Sequence, residues 1–436
     1  MRTNSIGRSR LWGTLAVVAI TLAACGGTGG SGSSYKEDGK ALVFPTFNPF
    51  TGADASFGPE MRAGCPAAAM SIMNAGGILG HTTVECPAVD SRGDPADAVP
   101  AAQKMLATTN NLMEVIGPSS DEASATVPIF EAAKKPMFVD TGQPSFDKSD
   151  FKYFWRVTPS DDYYGYAMAL YAWDAGYRNA ALVFGNDISS QGTVPTITSG
   201  FQKLGGTIAI NLTLTIGQAS YRSEVQKLVA ANPDVIFNEV DPQTAATFFG
   251  QLKQLHGSVY PFVSTGAQYT PWIQAVSGTV GAATLAQVYH TVLGTSEFSG
   301  PAYEEYKKNL LASGKDIDKP EQWVQDIYAE GAYDGVIISA LAMLAAGTTD
   351  PTVWNNDIMK VTTQSSTATV VHTFAEGKAA LAAGKNIDYE GATGSFAFDQ
   401  WHNSSGGFEV LGYAAGMGSQ PILKIYPAGA VNRLIG

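Results

Sequence analysis

From Ala41 onward, short apolar runs alternate with helical stretches, and this rhythm constrains the fold more than any other feature of the chain. Ala41 to Phe44 reads as a strand, and Phe57 to Asn74 as a helix with Pro59 in its first turn and a kink expected at Pro66. Thr82 to Val89 reads as the next strand, in which Pro87 is tolerable only at a sheet edge. Asp94-Pro95 supplies a cap and a first-turn proline for a helix to Ala107. Strand Leu112–Ile116, helix Glu122–Ala133 and strand Met137–Val139 follow. After Phe151–Arg156 the rhythm resumes, with Asp161 or Asp162 capping a helix to Gly176 and a strand from Ala180 to Phe184. Helices Val194–Leu204, Tyr221–Ala231 and Thr244–Leu255 then alternate with strands Thr207–Leu214, Val235–Phe237 and Phe262–Ser264.

Repeated strand–helix–strand units imply parallel sheets covered by helices on both faces, and two such series in tandem imply two lobes. The fold class expected is therefore α/β, two doubly wound parallel-sheet lobes joined by a hinge with several crossovers. Beyond Val292, helices Gly300–Leu311, Glu321–Ala346 and Trp354–Val361 predominate, with too few strands expected for a third sheet. They are expected to return and cover the existing lobes. On this reading residues 41–158 with 292–392 form lobe 1, and residues 159–291 with 393–436 form lobe 2. In open parallel sheets, ligands bind beyond the carboxyl ends of the strands. Two facing lobes then share one cleft.

The N-terminus sets the compartment. Arg2, Arg8 and Arg10 precede an apolar run from Leu11 to Ala24, shorter than the ~20 residues that span a bilayer but suited to a signal peptide, residues 1–24. The segment ends Leu22-Ala23-Ala24-Cys25, which resembles the bacterial lipobox and implies lipidation of Cys25. The Gly/Ser-rich stretch behind it, within residues 25–40, reads as a flexible tether. The protein is thus expected on the outer face of the cell membrane, held by its acyl chains. Cys65 and Cys86 remain, an even pair in an oxidising compartment. A disulfide between them would close a loop of about 20 residues and contribute ~3 kcal/mol; two buried free thiols are the alternative.

Charge and motifs exclude several classes. The net charge is −12, and removing the three arginines of residues 1–24, which hold no acid, leaves −15. No basic stripe exists to follow a phosphate backbone, so nucleic acid is not expected as a partner. The chain has no Gly-x-x-x-x-Gly-Lys-Ser/Thr loop, no Gly-x-Ser-x-Gly elbow and no Cys-x-x-Cys. Gly416-Met417-Gly418 lacks the third glycine of a dinucleotide fingerprint, and the five histidines are scattered. We expect no enzyme, no cofactor and no metal.

Several blocks together resemble the type I periplasmic binding proteins that serve amino-acid transporters, the leucine/isoleucine/valine-binding group. They are Thr51-Gly52 with Phe57-Gly58-Pro59-Glu60, Asn74-Ala75-Gly76-Gly77, Val89-Asp90-Ser91-Arg92-Gly93-Asp94-Pro95, Val115-Ile116-Gly117-Pro118-Ser119-Ser120, Ala332-Tyr333-Asp334-Gly335, and Glu390-Gly391-Ala392-Thr393-Gly394. The resemblance spans most of residues 41–415. It implies a monomeric receptor of an ABC importer that hands a small molecule to a membrane permease; a sensor that signals through the same cleft is the other reading.

Site residues carry over by position. The resemblance assigns Phe57 to cover the ligand from the first lobe. It assigns Ser119, Ser120 and Asp121 to a loop that receives a ligand carboxylate at a helix N-terminus, although Asp121 is itself an acid that would repel one. Thr141 and Gly142 follow the next strand, and Tyr333 matches an aromatic near the cleft. Strand-end placement adds Asp187, Asn238, Glu239 and Gln268 from the second lobe. Amino-acid binders of this group place an acid after the strand matching Phe262–Ser264, where this chain reads Ser264-Thr265-Gly266-Ala267-Gln268. Asp187 or Glu239 could replace it, or the ligand could be a related amide or carboxylate.

Overall fold

The computed structural model describes residues 41–435 apart from 53, 267–269, 297, 405 and 416–419. The expected signal segment, Cys25, the expected tether and Gln268 lie outside the described residues.

The chain begins with β1 (Leu42–Val43), β2 (Thr46–Asn48), α1 (Phe57–Asn74), β3 (Val84–Glu85), β4 (Ala88–Asp90) and α2 (Pro95–Thr108). β5 (Val115–Ile116), α3 (Ser120–Ala132), β6 (Met137–Val139) and β7 (Phe154–Arg156) complete a five-stranded parallel sheet of order β4-β2-β5-β6-β7. Asp94 caps α2 by accepting from the Ala96 N–H at 2.7 Å. The expected strand Thr82–Val89 is broken at Pro87, which separates β3 from β4, and Pro45 separates β1 from a further strand β2 that the sequence reading lacked, because neither ring can donate to a ladder. The carbonyls still pair across the breaks, the Thr46 N–H donating to Pro87 O at 2.9 Å. A disulfide joins Cys65 on α1 to Cys86 in the second break. Pro66, in contrast, sits inside an uninterrupted α1.

The second series runs α4 (Asp161–Asp174), β8 (Asn179–Gly185), α5 (Ile188–Gln191), α6 (Val194–Lys203), β9 (Thr207–Leu214), α7 (Arg222–Ala231), β10 (Val235–Glu239), α8 (Pro242–His256) and β11 (Phe262–Thr265). Ser160, not Asp161 or Asp162, caps α4, its hydroxyl accepting from the Asp162 N–H at 3.3 Å. α9 (Thr270–Val280), α10 (Ala282–Val288) and β12 (Tyr289–Gly294) lead into α11 (Gly300–Ala312), α12 (Ile327–Ala346), α13 (Pro351–Trp354) and α14 (Ile358–Val361). The expected helix Glu321–Ala346 thus starts only at Ile327, where the Asp326 carboxylate caps it through the Tyr328 and Ala329 amides at 3.1 and 2.9 Å.

The tail corrects the expectation that no third sheet would form. β13 (Thr369–Val371), α15 (Phe374–Ala382), β14 (Ile387–Gly391) and β15 (Gly394–Ser395) make a small three-stranded sheet. β16 (Phe408–Leu411), β17 (Ile422–Tyr426) and α16 (Ala428–Ile435) follow. β16 and β17 add antiparallel strands to the edge of a seven-stranded sheet of order β17-β16-β12-β11-β10-β8-β9. β12, residues 289–294, belongs to that sheet, so the boundary read at residue 292 falls inside a strand.

Helices cover both faces of the large sheet. Val225 and Leu228 of α7, Phe248, Phe249 and Leu252 of α8 and Trp272 of α9 fill one face. Ala167 to Ala169 of α4, Ile197 and Phe201 of α6 and Val431 of α16 fill the other. Each such large side chain contributes about 1.5–3 kcal/mol by leaving water. On the smaller sheet, Phe47, Val115 and Met137 pack against Ala98, Val127 and Phe130 of α2 and α3. α12 is long and apolar enough to cross a bilayer, yet 83% of its apolar window is buried inside the molecule, where it packs along α1, α14 and α15. The chain passes from the first sheet to the second after β7, returns through α11 to β15, and crosses back into β16. That path brings the carboxyl ends of both sets of parallel strands around one cleft.

Candidate functional site

A cleft is lined by loops that leave the carboxyl ends of β5, β6 and β7 on one side and β8, β10 and β11 on the other. Ser119, Ser120 and Asp121 enter it from the start of α3, Asp140 and Gly142 from the turn after β6, and Thr158 and Pro159 from the segment after β7. Facing them are Asp161 and Tyr164 of α4, Ser189, Thr193, Glu239 at the end of β10, and Thr265 at the end of β11. Phe57, the first residue of α1, and Tyr328, in the first turn of α12, close the ring.

The hydroxyls on the first side are engaged with their neighbours. Ser119 donates its N–H and Oγ–H to the two carboxylate oxygens of Glu122, at 3.3 and 2.9 Å, so the pair closes the helix start. Ser120 Oγ and Thr141 Oγ1 bond each other at 3.1 Å, tying the loop after β5 to the loop after β6. Gln143 reinforces that seam by donating to Ser120 O at 2.5 Å.

Asp121 reaches across the cleft. Its Oδ1 accepts the N–H groups of Ile188 and Ser189 at 2.9 and 3.2 Å, the first amides of α5 on the opposite side. Orphan amides at a helix start favour an anion. Burial followed by the nearby Asp187 charge raises the Asp121 carboxyl to about 6. Asp54, hydrogen-bonded to Asp121, is raised to about 8, by burial first and then by Asp121 and Asp187. Asp54 and Asp187 line an adjoining recess together with Asp241.

Asp161 is wedged between two backbones. Its N–H donates to Gly142 O at 2.7 Å. A Cβ on Gly142 would lie 2.0 Å from its Oδ1, and one on Gly192 would lie 2.0 Å from its Oδ2. Only glycine allows the carboxyl to sit there. Burial lifts Asp161 to about 7, against the lowering field of Arg156. Glu239 is only 7% exposed, and burial followed by the charges of Asp161 and Asp187 raises it well above the usual carboxylate range. Asp140 is raised well above its ordinary value by burial and then by Glu122. Among the described residues, no lysine, arginine or histidine lines the cleft or the two recesses beside it. Arg156 lies near Asp161 but is fully buried, its guanidinium donating to Asp147 Oδ1 at 2.6 Å and to Gln143 O at 3.0 Å.

Of the residues singled out in the sequence, Phe57, Ser119, Ser120, Asp121, Gly142 and Glu239 line the cleft, and Asp187 lines the recess beside it. Thr141 stands behind the wall, fully buried against Ser120. Asn238 turns into the sheet and donates to Val183 O at 2.8 Å. Tyr333 is fully buried with its ring edge-on to Tyr306, while Tyr328 of the same helix is the aromatic that reaches the cleft. Asp334 beside it accepts four hydrogen bonds from Tyr389, Ala392 and Thr393 at 2.7–2.9 Å and anchors the β14–β15 turn. Asp140, Asp161, Tyr164, Thr265 and Tyr328 escaped the sequence reading. The carboxyl-end rule could have found Asp140 and Thr265, each the residue at or directly beyond its strand.

The sequence matches the family described as periplasmic binding protein over residues 44–404. An amino acid binding protein of Pseudomonas aeruginosa is 25% identical over 54% of this chain, which spans 63% of that relative. The leucine binding protein of Thermotoga maritima superposes with a TM-score of 0.70 at 19% identity, covering 89% of this chain and 99% of the other. A solute binding protein of an ABC transporter from R. palustris, in complex with benzoate, gives 0.67 at 18% identity over 89% and 97%. The protein has the type I fold and belongs to the periplasmic binding protein family, whose members bind solutes rather than turn them over.

Proposed function

We propose that the protein is the extracytoplasmic solute receptor of an ABC importer, a lipoprotein anchored through Cys25. It takes a small molecule, an amino acid or a related amide or carboxylate, into the cleft between one lobe built on the five-stranded sheet and another built on the seven-stranded sheet. The observation that carries this reading is the convergence of strand-end loops from both parallel sheets on one cleft. A solute touching both sides binds the closed form better than the open one, and that difference drives the hinge. Asp121, bonded to the α5 amides, bridges the two sides of the cleft. The leucine named in the T. maritima protein and the benzoate held by the R. palustris protein support solutes of this size.

A thermal-shift screen of the purified full chain against amino acids, amides, urea, amines and aromatic acids tests the proposal. A solute at 100 times its dissociation constant adds ~2.7 kcal/mol. At least one class should raise the midpoint, and Glu239→Ala should abolish that shift. A screen in which no class moves the midpoint would overturn the receptor assignment.

A further inference from the structure

Resting on that receptor reading, we propose that the solute is an organic ammonium ion without a compensating carboxylate, its charge held by Glu239 and Asp161 and its alkyl groups by Phe57, Tyr164 and Tyr328. Four carboxyl groups, Asp121, Asp140, Asp161 and Glu239, line one small space, and no cation among the described residues shares it. A buried group of acids is costly unless positive charge joins it. Arg156, the nearby cation, is fully buried and donates to Asp147 and Gln143 instead.

Polar atoms in the cleft wall lack partners. Thr193 is 1% exposed and its hydroxyl has no hydrogen-bond partner, and the carboxylate oxygens Asp140 Oδ1 and Asp161 Oδ2 accept from no donor. An ammonium group brings N–H donors to such a wall. Most of the groups that could receive a solute carboxylate are already taken: Ser119 by Glu122, one hydroxyl hydrogen of the Ser120–Thr141 pair by the other hydroxyl, and the first amides of α5 by Asp121. A carboxylate would meet four acids and find most of these donors engaged. The three aromatic rings on the same cleft supply apolar walls and negative ring faces, which attract alkylammonium ions.

Burial raises Asp140, Asp161 and Glu239, so an entering cation displaces protons from them. The other titratable groups lining the cleft are Asp121 and the phenols of Tyr164 and Tyr328, which burial keeps neutral.

Isothermal titration of the purified full chain with 1,4-diaminobutane, choline, leucine and benzoate tests this assignment. At least one of the two cations should bind, with affinity rising as pH goes from 6 to 8 and with proton release visible as a heat that depends on the buffer. Binding of choline would assign the larger share to the rings, and binding of the diamine alone to the carboxylates. Glu239→Gln and Asp161→Asn, each checked for an unlowered midpoint without solute, should weaken that binding at least tenfold. Leucine or benzoate binding more tightly than both cations would overturn the ammonium assignment and leave the receptor reading standing. No binding by any of the four, in a chain that also fails the wider screen, would overturn both.

Discussion

Replacing Glu114 by glutamine isolates one charge cost that the first sheet carries. Glu114 directly precedes β5, is fully buried, and burial raises its carboxyl from 4.5 to about 8. Between those values the folded state holds a proton that the unfolded chain has released, so stability falls as pH rises through this window. The linkage relation puts the cost at about 1 kcal/mol at pH 5, about 3 at pH 7 and about 5 at pH 9, with little further change above. Glutamine keeps the shape and carries no charge, so Glu114→Gln should exceed the parent by only about 1 kcal/mol near pH 5 and increasingly at higher pH. With an unfolding entropy of ~2.1 cal/mol/K per residue, a gain of ~4 kcal/mol between pH 5 and 9 is a relative rise of roughly 5 °C. The assay is the thermal midpoint of both proteins from pH 5 to 9. A constant difference at every pH would refute the argument, because it would show that Glu114 does not titrate between the two states in this range.

Three further outcomes follow from the geometry. Converting Cys65 and Cys86 together to alanine should cost ~3 kcal/mol under oxidising conditions and nothing relative to the parent in excess dithiothreitol, read by urea denaturation. Asp334→Ala leaves the Tyr389 hydroxyl and the Ala392 and Thr393 amides without their acceptor and should lower stability by ~3 kcal/mol or more, read the same way. Gly142→Ala places a methyl 2.0 Å from the Asp161 carboxyl, so it should weaken binding of any solute found by the screen at least tenfold, read by titration calorimetry, with only a small change in the midpoint.

Much of the architecture was legible because its signals are local. β6, β9 and α1 lie where the apolar runs place them. Proline effects were legible in kind but not in outcome: Pro87 breaks its strand, while Pro66 rides inside a buried helix whose packing on α12 outweighs the lost bond. The small sheet β13–β14–β15 was missed because its strands are only two to five residues long. In the site, the carboxyl-end rule led to Glu239 and to its neighbour Asn238, and strand alternation then separated them: Glu239 faces the cleft and Asn238 faces Val183. Tyr328 had no local signal. It reaches the cleft only because α12 returns to the first sheet after the chain has built the second, and Tyr333, five residues on, faces Tyr306 instead.

The most direct test of the account is a crystal structure of the protein with whichever solute raises its midpoint most. The account predicts density for that solute within the ring of Phe57, Asp121, Asp161, Glu239 and Tyr328, in contact with both sheets' loops. Density for the solute elsewhere on the molecule, with the cleft walls in contact only with water, would contradict it.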